Sequence, residues 1–408
     1  MIRHLAVVSA VSAVAALCVP SAQAQLAITH ANVVDVTSGR IAMNATIVVQ
    51  GRLIVSITPN GAVPAGAMVI DAAGRYVVPG LIDAHTHVAT LSSARRALES
   101  GVTTVRSASV PHYEDVALRD LVKNGVLAGP DVVAAGVFVT PDLGETVLAD
   151  PKLGAFLATG VRTPERLRAV VRVNLEHQVD VIKTRGTERA GLPNTDPRKQ
   201  VYTEAELRAI VDEARAGGVP VMVHAHGDEG AYAAVAAGAK SVEHGTFLSD
   251  STLRLMKARG AFLVPTLSTL YDLGLPGGDY DDPVLTLRAQ FMIPRANQTI
   301  RAAKALGIHV ATGVDTDYGA QSLSRVSHEV LRFTELGFTP LEALQSATTV
   351  AAELLGVTSR TGRLAPGLEA DLIVVEGNPL DDPRALQDAL VVVSNGMVGM
   401  NRLPVGRR

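Results

Sequence analysis

Apolar and polar positions fall into three textures along the chain. From residue 26 to 68, short apolar runs alternate with turn residues: Ala31-Asn32-Val33-Val34-Asp35-Val36, Ala45-Thr46-Ile47-Val48-Val49 and Arg52-Leu53-Ile54-Val55-Ser56-Ile57 are punctuated by Ser38-Gly39, Gln50-Gly51 and Pro59-Asn60-Gly61. Runs of this length between such turns predict a small antiparallel sheet. The texture returns at 370–375 and 390–396, so residues 25–75 and 358–408 are expected to complete one β-sandwich domain around an inserted middle. In that middle, residues 76–357, strand-like segments at 76–82, 103–107, 132–135, 179–183, 219–224, 241–244, 262–266 and 309–312 alternate with helical patterns. Helix starts are marked. Thr203-Glu204-Ala205-Glu206 is a capping box followed by Leu207, Ile210, Val211 and Ala214 at helical spacing, and Thr163-Pro164 and Thr339-Pro340 put Pro at a first helical position behind a Thr cap. Eight strands alternating with helices over this length predict an α/β fold, a (β/α)8 TIM barrel carrying the β-sandwich. A doubly wound open sheet ranks second, because no glycine-rich phosphate fingerprint follows any strand.

Composition narrows what such a barrel handles. With 37 Lys+Arg against 40 Asp+Glu, a formal charge of -3 and no basic cluster, the chain offers no surface for nucleic acid or for an anionic membrane. A small-molecule or dipeptide-like amide ligand is expected instead. Aromatics are scarce at 7 Phe, 7 Tyr and no Trp, so the core must come from Ala, Val, Leu and Ile, as in buried parallel strands. Residues 1–24 read as a secretory signal peptide: Arg3-His4, an apolar run from Leu5 to Val19, and a small-x-small cleavage site at Ala22-Gln23-Ala24. The run is shorter than the roughly 20 residues of a membrane span. The expected location is therefore secreted or periplasmic, with no membrane attachment after cleavage. Cys18, the single cysteine, would leave with the signal, so a metal site here must be built without thiolates. The sequence is compatible with a homo-oligomer.

Active sites of (β/α)8 barrels sit at the carboxyl ends of the strands, which directs attention to the polar residues there. His85 and His87 end the first strand; two residues apart, they point the same way and can bind one ion. Alone, such a pair is no better than coincidence. The fifth strand ends in Val221-Met222-Val223-His224-Ala225-His226-Gly227, the sixth in Ser241-Val242-Glu243-His244-Gly245, and the eighth leads through Ala311-Thr312-Gly313-Val314 to Asp315. Imidazoles and a carboxylate converging on one mouth suit Zn²⁺ or a similar divalent ion. Lys183 ends the fourth strand, Val179-Asp180-Val181-Ile182-Lys183. Beside cations its ammonium is disfavoured, and its pKa, ordinarily about 10.4, must fall. A neutral amine can add CO₂ to form a carbamate whose two oxygens bridge two metals. A contact to a substrate carboxylate and a buried structural lysine are its alternative roles.

These segments carry a resemblance. The opening Val78-Pro79-Gly80-Leu81-Ile82-Asp83-Ala84-His85-Thr86-His87, the lysine strand, the two His strands, Asp315 and the closing Gly362-Arg363-Leu364-Ala365-Pro366-Gly367-Leu368-Glu369-Ala370-Asp371-Leu372 together resemble the metal-dependent amidohydrolase superfamily. The resemblance spans nearly all of the sequence after the signal. Residues 221–227 and 241–245 are similar to its imidazolonepropionase-related branch, which contains Xaa-Pro dipeptidases, carboxypeptidase-like enzymes and ochratoxin-hydrolysing amidohydrolases. It implies two divalent ions, Zn²⁺ foremost: His85, His87 and Asp315 would hold one, His224 and His244 the other, and carboxylated Lys183 would bridge them. It also implies hydrolysis of a C-terminal amide or peptide bond in a dipeptide or N-acyl amino acid, ochratoxin-like amides included, by a metal-bridging hydroxide. Asp315 would be the catalytic acid–base, taking the proton from that water and passing it to the leaving amine.

Substrate contacts are less sharply marked. His226, two residues beyond His224, is expected either to touch substrate or to support a metal ligand. Arg185, at the same spacing from Lys183, is expected to clamp a carboxylate or to lie on a loop surface. Tyr318, Arg325 and Tyr271 are weaker candidates from loops, while His112, His177, His309 and His328 read as structural. Segments 186–200 and 273–282 are long or rich in Gly, Pro and Asp and read as lids. Two other functions stay open: a mononuclear cyclic-amide hydrolase or deaminase of the imidazolonepropionase type, and a non-catalytic periplasmic binding protein.

Overall fold

The computed structural model describes residues 25–275 and 280–403. The expected signal peptide, with Cys18, lies outside the described residues, and the segment 273–282 is described only in part. Among the described residues no helix is long and apolar enough to cross a membrane.

Among the described residues there are fifteen strands: β1 Gln25–Val34, β2 Ile41–Gln50, β3 Leu53–Pro59, β4 Met68–Asp71, β5 Tyr76–Pro79, β6 Leu81–Thr86, β7 Val102–Ser107, β8 Asp131–Val133, β9 Ile182–Arg185, β10 Val221–Ala225, β11 Ser241–His244, β12 Phe262–Val264, β13 Leu372–Val375, β14 Ala389–Ser394 and β15 Met397–Asn401. Both chain ends build one sheet in the order β15-β14-β13-β5-β1-β2-β3, with β4 also paired to β1. It is mostly antiparallel, but β1 pairs in parallel with β4 through its first half and with β5 through its second. That double pairing wraps the sheet around a core of Ile28, Ile47, Ile54, Leu372 and Val391. The ladder joins these strands into one sheet, which fits the expected sandwich domain in part.

The segment 76–82, read above as one strand, is two. β5 pairs antiparallel with β13 in the composite sheet, whereas β6 pairs in parallel with β7. The break falls at Gly80. A Cβ there would meet the Thr103 side chain at 2.0 Å, so only glycine lets the chain pass from one sheet to the other at this point.

The middle of the chain alternates helices with parallel strands. Ladder pairing forms two arcs, β6-β7-β8 and β9-β10-β11-β12. Single parallel bridges, Val139 to Thr184, Leu263 to Val310 and Thr86 to Thr316, lie between the arcs. Among the described residues there is no continuous closed sheet, which corrects the expectation of eight full strands. Two causes are visible. β8 stops early because side-chain carboxylates take over its backbone donors: Ala134 N–H goes to Asp180, and the N–H groups of Ala135 and Gly136 go to Asp115. The segment 309–312 splits its bonds between two neighbours, Ala311 N–H to Leu263 O and Thr312 N–H to Ser346 O, so it makes a bridge and not a ladder.

The helices start where their caps predict. Thr203 and Glu206 form a reciprocal capping box on Glu204–Ala216, and Thr339 and Glu342 do the same for Pro340–Ser346. Thr163 caps Pro164–Glu176. Each cap stabilises its helix by about 1 kcal/mol and fixes where the preceding loop ends.

Candidate active site

At the carboxyl ends of the parallel strands lies a cavity of about 480 Å³. It is lined by His85, His87, Lys183, His224, His244 and Asp315, and also by His226 and Arg185. Side-chain donor atoms of His85, His244 and Asp315 lie within 4.8 Å of one another, and so do those of His224, His226 and His244. The two triads share His244. Lys183 joins them, with its Nζ 3.2 Å from His85 Nε2. The structure therefore brings together every residue the sequence nominated as a metal ligand, and adds His226 to the second triad.

Outer contacts orient the rings. His87 Nδ1–H donates to Ser109 O at 2.8 Å, leaving Nε2 toward Asp315 Oδ1 at 3.1 Å. His85 Nδ1–H donates to Glu243 at 2.7 Å, leaving Nε2 near Lys183 and 3.4 Å from Asp315. Nδ1 of His226 is fixed by Thr246 and Nδ1 of His244 by Thr266, at 2.8 and 2.6 Å. In these four rings Nε2 is thus the nitrogen available inside the cavity. His224 is reversed: its Nε2–H donates to the carbonyl of Glu188 at 3.0 Å, which leaves Nδ1 with the lone pair.

The backbone supplies part of this convergence. Neighbouring residues of a strand face opposite sides, yet Glu243 and His244 both reach His85, the former by its hydrogen bond and the latter with ring centroids 5.1 Å apart. His244 has φ +71°, and Asp315, Thr266 and Ser109 also have positive φ, at +53°, +48° and +97°. Left-handed backbone at non-glycine residues costs on the order of 1–3 kcal/mol each and concentrates at functional sites, where it re-aims side chains that a regular strand would turn away.

Burial and mutual charge set the protonation states. Burial pushes the His224 and His244 imidazoles well below the usual histidine value and His226 down to about 3, with like-charged neighbours adding to the effect for His224 and His244. Neutral imidazole is the form that ligates a metal. Burial also lowers Lys183 to about 8, even with Glu243 and Asp315 nearby to favour its ammonium. Burial alone would raise Asp315, but His85 and His87 hold its carboxyl well below the ordinary range, so it is an anion.

Two residues that sequence reasoning left without a role complete the site. Glu243, fully buried on β11, accepts from the Arg106 guanidinium at 3.0 and 3.1 Å and from His85. Burial opposes its charge, yet Arg106 and then His85 bring its pKa down to about 2. A charged residue inside an apolar strand, as at Arg106 and Glu243, was the available signal.

Other candidates sit elsewhere. Tyr318 is not a substrate contact: it is fully buried, and its hydroxyl donates to Asp83 at 2.8 Å. Burial raises Asp83 to about 7, although the N–H of His85, the Tyr318 hydroxyl and the N–H of Val314 all donate to it. This brace ties β6 to the segment that carries Asp315. Tyr271 packs under the Arg332 guanidinium and Arg325 bonds the carbonyls of Ser322 and Ser324, so neither lines the cavity. Arg185 does line it, 4.6 Å over the Phe138 ring, and its buried Nε has no hydrogen-bond partner. His177 stacks on Tyr113 and bonds Asp150, outside the cavity.

Comparison with known proteins agrees with this geometry. The model of the amidohydrolase family matches residues 76–399. An ochratoxinase from Aspergillus niger is 26% identical over 414 residues, covering 91% of this chain and 85% of that one. An imidazolonepropionase from Deinococcus radiodurans is 28% identical over 379 residues, covering 82% and 86%. The crystal structure of a Xaa-Pro dipeptidase with methionine bound in its active site superposes with a TM-score of 0.82 at 27% identity, covering 92% of this chain and 99% of that one.

Proposed function

Because the chain belongs to the amidohydrolase family and is a hydrolase of C–N bonds, we propose that it is a binuclear metal enzyme that cleaves the C-terminal amide bond of dipeptides or N-acyl amino acids. On this reading the two parallel arcs are the wall of a (β/α)8 barrel and the cavity is its mouth. The observation that carries the reading is the pair of donor triads sharing His244, with Lys183 between them.

The donor set fits divalent ions: neutral imidazoles, an ionised carboxylate and an amine whose pKa is low enough to take up CO₂. His85, His87 and Asp315 would hold one ion, and His224 and His244, with His226 in reach, the other, with carboxylated Lys183 shared. Bound there, such ions supply an activated water and a polarised scissile carbonyl. The chain's own groups do the rest. Asp315, held as an anion beside His85 and His87, would take up a proton from the attacking water and pass it to the leaving nitrogen. Arg185, with an unused buried Nε, pairs with the substrate's terminal carboxylate. Phe138, Leu192, Leu270 and Leu273 offer apolar wall for a side chain. The likeness to an ochratoxinase and to a Xaa-Pro dipeptidase supports this reaction class. Zinc as the metal and a secreted or periplasmic location remain part of the proposal.

A second reading, ring opening of a cyclic amide at one ion, is favoured by the His85, His244, Asp315 triad, which is complete by itself, and by the imidazolonepropionase relative. Metal-loaded protein should be screened on dipeptides and N-acyl amino acids, on their C-terminally amidated counterparts, and on lactams and cyclic amidines. We expect turnover of the free-carboxylate amides, loss of it on amidation, and none in fully metallated Asp315→Asn. Activity confined to lactams or cyclic amidines, or normal turnover by the Asn variant, would overturn the proposal.

A further inference from the structure

Between β9 and the helix Glu204–Ala216 the chain makes a long excursion, residues 186–200, over the cavity mouth. Its base is closed on itself. Thr187 and Gln200 form an antiparallel bridge, Glu188 N–H donates to Lys199 O at 3.0 Å, and the Glu188 and Lys199 side chains pair at 2.7 Å. The base also packs backbone to backbone on the helix Asp228–Ala237: a Cβ on Gly186 would meet Gly230 O at 2.6 Å, so that contact tolerates no side chain. From this base the Glu188 carbonyl reaches His224.

The tip, residues 189–195, is different. Within the loop it is tied by one side chain, the Thr195 hydroxyl, which bonds Arg189 O and Leu192 O. Arg189, Ala190, Gly191 and Leu192 of this tip line the cavity. Four of its carbonyls converge on a single guanidinium from another element. Arg288, in the second turn of the helix Pro283–Ala305, donates through NH1 to Ala190 O at 2.5 Å and Leu192 O at 2.6 Å, and through NH2 to Pro193 O at 3.2 Å and Thr195 O at 2.6 Å. A planar fork of five N–H donors can serve four carbonyls at once; an ammonium on a flexible stem cannot. That helix is itself anchored where it begins, by Asp282 capping Val284 and Leu285.

We propose that Arg288 is a positioning residue that holds the 189–195 tip in place as one wall of the substrate cavity, and that it sets substrate affinity rather than the rate of the hydrolytic step. The division of labour follows from where the contacts lie. The metal-ligating and proton-transferring groups stand on the strands or just beyond their ends, and none of the hydrogen bonds that orient them involves Arg288. The tip contributes wall, including the Arg189 guanidinium and the Leu192 side chain, that a substrate touches but the reacting atoms do not. Releasing the tip therefore removes binding that is equal in the ground and transition states, which raises KM and spares kcat.

The proposal rests on the hydrolase reading of this cavity, and its test separates the two. Arg288→Lys and Arg288→Ala, loaded with zinc as the wild type is, would be compared for hydrogen exchange at residues 189–195, for metal content, and for kcat and KM on an N-acyl amino acid. We expect exchange in the tip to rise at least about tenfold in both variants, metal content to stay at the wild-type level, KM to rise about tenfold or more, and kcat to stay within about threefold. The product amino acid should lose inhibitory affinity by the same factor as KM. An unchanged exchange rate in the tip would overturn the proposal, as would a loosened tip with unchanged KM, or a fall in kcat at constant KM. If no N-acyl amino acid or dipeptide is turned over, the substrate reading fails, while exchange in the tip, with and without added product amino acid, still decides whether Arg288 holds it.

Discussion

Glu243 and Asp371 are both buried carboxylates at apolar strands, one on β11 behind the cavity residue His85 and one at the seam between the composite sheet and the parallel strands. Their chemistry diverges because of their partners. Glu243 lies between the Arg106 guanidinium and His85, and its pKa falls to about 2. Asp371 accepts from the backbone N–H of Asn395, has no cation in hydrogen-bond contact among the described residues, and is pushed by burial up to about 7, with Asp131 adding repulsion. Burial penalises both charges alike; a paired cation decides which carboxylate stays an anion. The cavity is thus backed by a fixed negative charge that orients His85, and the seam by an acid that is protonated through much of the acidic range.

Replacing Glu243 should break the contrast most. Glu243→Gln leaves Arg106 buried without its counter-charge, which costs about 3–5 kcal/mol of stability. It also leaves one neutral acceptor oxygen to be shared by Arg106, Ser241 and His85, which loosens the hold on His85, so metal affinity should drop about 10–100-fold. Chemical denaturation together with metal titration would show both; a variant as stable as wild type with unchanged metal affinity would mean that Glu243 merely fills space. At the seam the effect is smaller and depends on pH. The folded-state value of Asp371 lies above the ordinary 3.8, so between about pH 4 and 7 the folded chain holds a proton that the unfolded chain has lost. Stability from this group is therefore full below about pH 4 and declines as pH rises toward 7, at up to about 1.4 kcal/mol per pH unit. Asp371→Asn should flatten that part of the stability–pH profile and leave kcat unchanged. A profile with the same slope in both proteins would remove the contrast.

How far the sequence could be read depended on which kind of interaction placed each group. Alternation and caps made the strands and helix starts legible, as at Thr203 and Thr339. The strand ends also pointed to His85, His87, Lys183, His224, His244 and Asp315, which the structure gathers around one cavity. The break at Gly80 was not legible, because it depends on Thr103 standing across from it in space. Nor was the joint approach of Glu243 and His244 to His85, since period-two alternation separates neighbours and the left-handed backbone at His244 carries no mark in the sequence. Tyr318 was misplaced for a related reason: proximity to Asp315 in the chain does not say that its hydroxyl turns inward to Asp83.

The central proposal is that Lys183, 3.2 Å from His85 Nε2 and lowered to about 8 by burial, takes up CO₂ and would then be shared by two ions at the strand ends. Elemental analysis of zinc-loaded protein prepared in bicarbonate, wild type beside Lys183→Ala, tests it directly. The account predicts two ions per chain in the wild type and the loss of one or both, with activity, in the variant. One ion in the wild type, or two ions retained by Lys183→Ala, would contradict it.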